Sequence, residues 1–502
     1  MTELREASSP TAASYTGVTG DPMQPGRSLD PYRQFRLAAE LHPDKVALVH
    51  PEGELDFRAL DDVVHRLASG LRNLGVRQGE AFAVVLGNHW EQLAFYLAAG
   101  LMGSVVMSAS RYLKPAEIAY QLDEARPRLV VGEGGLAIDA VLAAATGRIE
   151  PARISEYEPI QIRFSSGTTG KPKMMLASRR SQALLFSELC KEMQLTPRDR
   201  QMVVAPLAHA ALQLGLAQLA AGGSLIVRPG FDKDAFWDDC ARFGITNIMV
   251  VPTMIAAALA VPGTAPQLRA LVSLGATLRP ALKQKLAERF PHVGLYEMYG
   301  ASELGMVTCL RPDEQAVKPA TVGRPAFGQE VAIFDDEGRP VAGGEIGTIY
   351  ARGPQAISCY LGSQQPKPAP AHLVADGWMT TGDLGSLDAD GFLTISDRRA
   401  DLILSGAMNV YPAEVEAVLA AQPGVRDVAI VGTADEIWGQ RVTAYIVGDM
   451  DQAALESACR ELLAAYKMPR AWFAVDALPL TSNGKISRTL LREAIGRGEY
   501  PC

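Results

Sequence analysis

The chain has 502 residues and a formal net charge of −8 at pH 7, with 48% hydrophobic and 21% charged residues. This composition is that of a soluble globular protein. The length exceeds the ~250–300 residues that one core can serve, so we expect more than one domain. The acidic balance and the absence of a run of basic residues argue against nucleic acid or an anionic membrane as a partner.

The cysteines are scattered singly along the chain, at Cys190, Cys240, Cys309, Cys359, Cys459 and Cys502. The lack of Cys-x-x-Cys spacing argues against a zinc site and against a disulfide framework. Reduced thiols in a reducing compartment are the simplest interpretation, and we expect a cytoplasmic protein.

Residues 1–27 are rich in Ser, Thr, Pro, Gly and Ala and contain no apolar segment, which predicts a poorly ordered tail rather than a signal peptide. The longest apolar stretch, Ala94 to Met107, is shorter than the ~20 residues of a spanning helix and contains Gly100 and Gly103. It predicts a buried helix that runs into a buried strand. We therefore expect no membrane insertion.

Apolar periodicity predicts alternating helices and strands in the first part of the chain. The predicted helices are 56–74, 115–122, 180–193, 234–243 and 280–290. The predicted strands are 81–86, 128–131, 160–164, 202–205, 224–227, 248–251 and 271–274. Such alternation is typical of α/β layers around a largely parallel sheet.

From about residue 323 to 395 the pattern changes to short β-like segments with Asp- and Gly-rich turns, which predicts a small antiparallel or barrel-like β subdomain. We place a domain boundary at Arg399/Ala400, giving an N-terminal domain 28–399 and a C-terminal domain 400–502. The C-terminal domain has a compact α+β pattern. Its predicted strands are 402–404, 427–431, 441–447 and 472–475, and its predicted helices are 412–421 and 452–465.

A loop rich in hydroxyls, glycines and lysines follows the strand predicted at 160–164. Glycines allow backbone N–H groups to approach an anion, hydroxyls add donors, and lysines add charge, so the composition favours a phosphate-binding loop. It is not a Walker A loop, because its glycines are three apart and Pro172 follows the lysine. The candidate phosphate-binding residues are Ser165, Ser166, Gly167, Thr168, Thr169, Gly170, Lys171 and Lys173.

Four further motifs follow this loop in order. They are Tyr296-Glu297-Met298-Tyr299-Gly300-Ala301-Ser302-Glu303, Thr381-Gly382-Asp383-Leu384, the hinge-like segment 397–416, and Pro479-Leu480-Thr481-Ser482-Asn483-Gly484-Lys485. With the loop, they resemble the adenylate-forming superfamily of acyl-CoA and aryl-CoA ligases, firefly-type luciferases and peptide-synthetase adenylation domains. The resemblance runs from about residue 30 to the end. It implies a large N-terminal domain and a small, mobile C-terminal domain that carries a catalytic lysine.

The resemblance implies that ATP activates a carboxylic acid as an acyl-adenylate. Such catalysis relies on positive charge, N–H donors and positioning. Glu303 and Ser165 would hold Mg²⁺, which prefers oxygen ligands. Lys485, Ser302 and His209 would be the catalytic residues. The implied ATP contacts beyond the phosphate loop are Gly275, Ala276, Tyr299, Gly300, Ser302, Asp383, Arg398 and Lys485.

The resemblance also implies a second step, in which the C-terminal domain rotates and coenzyme A takes the acyl group. The implied CoA contacts are Gly406, Ala407, Trp438, Lys467 and Arg470. The implied acyl-pocket residues are His209, Ala210, Ala211, Met306 and Val307. Their small or apolar character favours an aromatic, alicyclic or fatty acid of medium or large size over a dicarboxylic acid.

Three residues depart from the family pattern: Met174 after the loop lysines, Ala400 at the hinge, and Ala407 in place of a second glycine. They bear on domain alternation and the thioester step more than on acid activation.

The resemblance therefore favours an acid–CoA ligase. The alternatives to this function are a stand-alone enzyme that loads a carrier protein, a homologue that keeps one half-reaction, a nucleotide-binding homologue without activity, and a luciferase-like oxygenase.

Overall fold

The structure is a computed structural model. It describes residues 29–110, 113, 115–164, 173–208, 210–361, 371–398, 401–405, 408–435, 439–449, 451–463, 465–481 and 484–502. Within these ranges, no helix combines the length and the apolar character needed to cross a bilayer.

The described helices and strands are numbered in chain order. The helices are α1 Pro31–Leu41, α2 Phe57–Asn73, α3 Glu91–Met102, α4 Pro115–Ala125, α5 Ile138–Ala143, α6 Arg179–Glu192, α7 Ala210–Ala220, α8 Phe236–Arg242, α9 Pro252–Leu259, α10 Pro280–Arg289, α11 Ala371–Ala375, α12 Pro412–Ala420, α13 Gln452–Leu462 and α14 Arg488–Gly496. The strands up to the phosphate loop are β1 Val46–His50, β2 Gly53–Asp56, β3 Ala81–Leu86, β4 Val105–Ser110, β5 Val130–Gly132 and β6 Pro159–Phe164.

The remaining strands follow the same numbering. They are β7 Met174–Ser178, β8 Arg200–Val203, β9 Ser224–Val227, β10 Asn247–Val250, β11 Ala270–Leu274, β12 Gly294–Ala301, β13 Gly305–Leu310, β14 Arg324–Pro325, β15 Glu330–Phe334, β16 Gly347–Arg352, β17 Cys359–Leu361, β18 Met379–Leu387, β19 Leu393–Arg398, β20 Ile403–Ser405, β21 Met408–Val410, β22 Val425–Asp435, β23 Gly439–Gly448 and β24 Ala471–Ala474.

Two sheets with parallel centres form the large domain. The nine-stranded sheet has the order β14-β13-β12-β11-β10-β8-β9-β1-β2, and the six-stranded sheet has the order β17-β7-β6-β4-β3-β5. Strands β12 to β1 of the first sheet and β6 to β5 of the second are parallel, and antiparallel strands close the edges. The predicted α/β layers with largely parallel pairing are confirmed, although they comprise two sheets.

The two sheets share one core. A single apolar cluster contains side chains from both sheets and from α1, α2, α3, α6 and α7. Helix α3 is buried from Gln92 to Met102 because it is apolar on every face, and it ends at Gly103, whose φ is +76°. Strand β4 then follows, which confirms the buried helix and strand predicted from the longest apolar stretch.

The predicted β subdomain corresponds to an antiparallel sheet of four strands, in the order β15-β16-β18-β19. Two segments inside the predicted span belong elsewhere: β14 pairs with β13 of the nine-stranded sheet, and β17 pairs with β7 of the six-stranded sheet. The segments before and within the small sheet therefore pair with strands of the two large sheets, so the small sheet belongs to the large domain.

The C-terminal domain is a five-stranded sheet covered on both faces. Alternate residues of β22 point to opposite sides, as strand geometry requires. Val428 and Ile430 belong to the apolar cluster with α12 and α13, and Ala429 and Val431 belong to the cluster with α14. The α+β pattern predicted for this domain is confirmed.

An ion-pair cluster joins the start of the C-terminal domain to its last helix. Arg488 Nη1 lies 3.1 Å from Asp401 Oδ2, and Arg492 Nη2 lies 2.6 Å from Asp401 Oδ1. Arg488 Nη2 also lies 2.6 Å from Glu416 Oε2. Because these contacts all lie within residues 401–502, Asp401 is fixed to the C-terminal domain.

Candidate active site

The site lies where several strands end. Strand β6 leads into the predicted phosphate loop, β11 leads into Gly275, and β12 carries Tyr299 near its end and leads into Ser302. Ligands of α/β sheets characteristically bind at the carboxyl ends of parallel strands. The loop residues 165–172 and His209 lie outside the described residues, so their predicted roles stay predictions. Lys173, described at the start of β7, is half-buried.

Lys485 reaches the N-terminal domain at Gly275. A Cβ atom placed on Gly275 would lie 2.5 Å from Lys485 Nζ and 2.6 Å from Lys485 Cε, so the lysine side chain packs directly on this glycine. The φ of Gly275 is +94°, a backbone conformation that residues other than glycine rarely adopt. Gly275 and Ala276 are exposed, which leaves this segment open to a ligand.

The turn that carries Lys485 is tightly bonded. Thr481 N donates to Lys485 O at 2.7 Å, Lys485 N donates to Thr481 Oγ1 at 3.2 Å, and Gly484 N donates to Thr481 O at 2.9 Å. Across the domain boundary, Thr253 Oγ1 donates to Gly484 O at 3.2 Å. The lysine is therefore presented from a closed turn that itself contacts the large domain.

Tyr299 and Asp383 form a second part of the site. Tyr299 Oη donates to Asp383 Oδ2 at 2.7 Å, and Asp383 is only 7% exposed. Asp383 on β18 lies opposite Arg398 on β19 in the antiparallel register. The structure thus brings Tyr299 to the hairpin of β18 and β19, which carries Asp383 and Arg398.

Tyr299→Phe is expected to raise the KM for ATP about tenfold while changing kcat little, because Asp383 loses a hydrogen bond to a charged group, worth about 1.5–3 kcal/mol. Steady-state pyrophosphate release at varied ATP measures the effect. Tyr500→Phe is the matched control, since Tyr500 Oη donates to Ala477 O at 2.9 Å within the C-terminal domain. An unchanged KM for ATP in Tyr299→Phe would contradict a role of the Tyr299–Asp383 hydrogen bond in ATP binding.

The turn between β12 and β13 presents Ser302 and Glu303. Ser302 is exposed and Glu303 is half-buried, and the backbone oxygen of Glu303 accepts from Ile357 N at 2.8 Å. Gly300 has no room for a side chain, because a Cβ atom there would overlap the carbonyl of Gly305. A carboxylate suits Mg²⁺, which prefers oxygen ligands and keeps several waters, and the role of Glu303 as a metal ligand stays a prediction.

Arg163 is a site residue that the sequence analysis missed. It lies on β6, two residues before the phosphate loop, and its Nη1 donates to Ser302 O at 3.3 Å. Its Nε donates to Gln161 Oε1 at 2.8 Å, and its Nη2 donates to Gln182 Oε1. Burial lowers the pKa of Arg163, and the nearby Glu303 opposes this. Arg163 thus connects the strand that feeds the loop to the turn that carries the candidate metal ligand.

The predicted acyl-pocket residues divide into two groups. Ala211 and Met306 belong to the large apolar cluster between the sheets, and Ala210 packs against it. Val307 instead packs with Leu304 and Ala351 in another cluster, because neighbouring residues of β13 point to opposite faces. Met306 and Val307 therefore face opposite sides of β13 and do not form one wall, and their places in the acyl pocket stay predictions.

The predicted CoA contacts are only partly described. Gly406, Ala407 and Trp438 lie outside the described residues. Lys467 Nζ lies 2.5 Å from Glu414 Oε1, so its charge is already paired. Arg470 lies on the surface. These roles stay predictions.

Of the three departures from the family pattern, Met174 alone is among the described residues. Met174 is 6% exposed and packs in the apolar cluster with Ile162 and Leu176. Its side chain is therefore part of the apolar core. Ala400, like Ala407, lies outside the described residues.

Comparison with known families identifies the class. Residues 35–361 match the model of the AMP-binding enzyme family, and residues 414–485 match that of the AMP-binding enzyme C-terminal domain. The chain therefore belongs to the AMP-binding enzymes, the adenylate-forming superfamily. The boundary predicted at 399/400 falls between the two matched segments.

Curated relatives and a solved structure extend over nearly the whole chain. The 2-succinylbenzoate–CoA ligase of Bacillus velezensis is 30% identical over 481 residues, covering 92% of this chain and 97% of that enzyme. The sulfoacetate–CoA ligase of Cupriavidus necator is 31% identical over 485 residues, covering 89% and 94%. The o-succinylbenzoate CoA synthetase of Bacillus subtilis, in complex with its acyl-adenylate intermediate, superposes with a TM-score of 0.84 at 27% identity, covering 91% and 97%. The same enzyme has been solved with ATP and a magnesium ion, with a TM-score of 0.81.

Proposed function

We propose that this AMP-forming acid–CoA ligase activates an apolar carboxylic acid of medium or large size, aromatic, alicyclic or fatty. ATP and coenzyme A are its co-substrates, and Mg²⁺ is its metal cofactor. The observation that carries the proposal is the contact between Lys485 and Gly275, which puts an ammonium group beside the segment implied to contact the nucleotide.

In the first step, a carboxylate oxygen of the acid bonds to the α-phosphorus of ATP. The bond between the α-phosphorus and the oxygen that bridges to the β-phosphorus breaks, and pyrophosphate leaves. Lys485, a point charge on a long stem, bridges the acid and the α-phosphate. Ser302 donates to the α-phosphate, and Asp383 accepts from the ribose hydroxyls. Glu303 and Ser165 would hold Mg²⁺, which would supply positive charge for the departing pyrophosphate.

In the second step, the CoA sulfur bonds to the acyl carbon and the bond to AMP breaks. Gly406, Ala407 and Trp438 are proposed to line the path of CoA, with Arg470 as a phosphate contact. His209 is proposed to stand between the acyl pocket and the adenylate. Carrier-protein loading remains the second candidate for this step, with the phosphopantetheine thiol in place of CoA.

The acid class rests on Ala210, Ala211 and Met306, which are small or apolar and belong to or pack against one cluster. The acids in the relatives' names, 2-succinylbenzoate and sulfoacetate, each carry a second anionic group. The test therefore needs acids with and without such a group. Pyrophosphate release is measured with ATP and this panel, each acid with and without CoA.

Turnover with an apolar monocarboxylic acid that requires CoA is the expected result. Turnover only with acids that carry a second anion would contradict the acid class and leave the ligase assignment standing. Release or exchange that ignores CoA would indicate a carrier protein as acceptor. No release with any acid would contradict acid activation by this chain.

Ala210→Leu is expected to raise the KM for the preferred bulky acid about tenfold, because the added carbons occupy pocket space and cost about 1–3 kcal/mol of overpacking. The KM for ATP should stay within about twofold. Ala220→Leu is the matched control, at the other end of α7 and roughly 15 Å away at 1.5 Å per residue. Equal effects of the two changes on the KM for the acid would contradict a pocket role for Ala210.

A further inference from the structure

A buried ion pair lies behind the Gly275 segment. Lys283 on α10 is 6% exposed and Glu297 on β12 is 1% exposed, and Lys283 Nζ lies 2.5 Å from Glu297 Oε2. The second carboxylate oxygen, Glu297 Oε1, accepts from Leu278 N at 2.8 Å. Lys283 Nζ also donates to Pro319 O at 2.6 Å. One pair therefore joins β12, α10 and two connecting segments.

The carboxylate anchors the segment that Lys485 contacts. Residues 275–277 are exposed, whereas Leu278 is completely buried and bonded through its N–H to Glu297. Glu297 lies two residues before Tyr299 on the same strand, so the two side chains leave the same face of β12. Glu297 thus ties the strand that presents Tyr299 to the segment that presents Gly275.

Stability alone does not account for this pair. Burial raises the pKa of Glu297, and Lys283 and the Leu278 N–H oppose this rise. A buried ion pair often adds nothing over apolar residues of the same volume, because both charges lose their hydration. What an apolar replacement cannot supply is an acceptor for Leu278 N.

We propose that Glu297, with Lys283 as its counter-ion, is a positioning residue for the nucleotide: it holds segment 275–278 at a fixed place relative to Tyr299, so that the purine is bound between them. This inference rests on the proposed function and on the family resemblance, which implies that Gly275 and Tyr299 contact the purine of ATP. Glu297 does not touch the nucleotide itself.

Two double variants separate the effect of the hydrogen bond to Leu278 N from the effect of the Lys283–Glu297 ion pair. Lys283→Met with Glu297→Gln removes both charges and keeps an oxygen that accepts from Leu278 N. Lys283→Met with Glu297→Leu removes both charges and the acceptor. AMP is the probe, and its Kd is measured by titration calorimetry well below the Tm of every variant. The Gln variant is expected to bind AMP within about threefold of the wild type, and the Leu variant about tenfold more weakly, as expected for an unsatisfied buried donor.

Asp199→Asn is the control for a general loss of packing. Asp199 is 3% exposed, pairs with Arg269 at 2.8 Å and accepts from Thr196 N at 2.8 Å. It is expected to lower Tm without changing the Kd for AMP. Equal AMP binding by the two double variants, or a matching loss in Asp199→Asn, would overturn the positioning role alone. Failure of the wild type to bind AMP would instead overturn the proposed function and the inference with it.

Discussion

Lys485→Ala is expected to lower pyrophosphate release about 100- to 1,000-fold, the range found when one preorganised group that stabilises transition-state charge is removed. Conversion of supplied acyl-adenylate and CoA to the thioester should stay within about threefold of the wild type. The split follows from the position of Lys485 against Gly275, where its charge serves the adenylation step. Both half-reactions are measured separately, by pyrophosphate release and by thioester formation.

Lys233→Ala is the matched control for the loss of a lysine. Lys233 is 52% exposed and pairs with Asp234 on the surface, so neither half-reaction should change. An equal loss of both half-reactions in Lys485→Ala would contradict a role confined to adenylation. Unchanged pyrophosphate release would remove Lys485 from the catalytic residues altogether.

Gly275→Ala is expected to lower the kcat/KM for adenylation about 10- to 100-fold. A methyl group at this position would lie 2.5 Å from Lys485 Nζ, and the lysine is the partner that can move. The backbone also resists the change, since a non-glycine residue in a sparsely populated φ/ψ region costs roughly 1–3 kcal/mol. The alanine therefore displaces Lys485 from the site.

A double-mutant cycle separates displacement of the lysine from backbone strain. In the Lys485→Ala background, Gly275→Ala should lower the kcat/KM for adenylation by less than a further threefold. The reason is that the side chain it would displace is already absent. Gly344→Ala is the control for strain alone, since Gly344 has a φ of +85° and open space around it. Additive losses in the cycle would show that Gly275 does not act through Lys485.

Much of the fold could be predicted because the strands are apolar runs with clear ends. The predicted limits of β3 and β9 match the structure, and each is a short apolar run whose ends are marked by charged, glycine or proline residues. Helix α7 was not predicted, because its sequence is apolar on every side and shows no amphipathic period. Strand β17 was not predicted either, since its pairing with β7 joins residues about 180 positions apart.

The site was predicted where residues form local motifs, and missed where a function depends on distant partners. Tyr299, Asp383 and Lys485 stand in recognisable strings, and the structure places Tyr299 against Asp383 and Lys485 against Gly275. Arg163 and Glu297 were not predicted. Arg163 bonds to Ser302, 139 residues away, and Glu297 contacts Lys283 on a helix and Leu278 on a loop. No local pattern signals such contacts.

The ion-pair cluster at Asp401 restricts where the two domains can turn about each other. Arg398 is paired into the small antiparallel sheet of the large domain, and Asp401 is clamped to α14 by Arg488 and Arg492. Any rigid-body rotation must therefore be taken up by the backbone dihedrals between these two anchored residues. In the domain rotation that the family resemblance implies, Lys485 and Asp401 would move together as parts of one C-terminal unit.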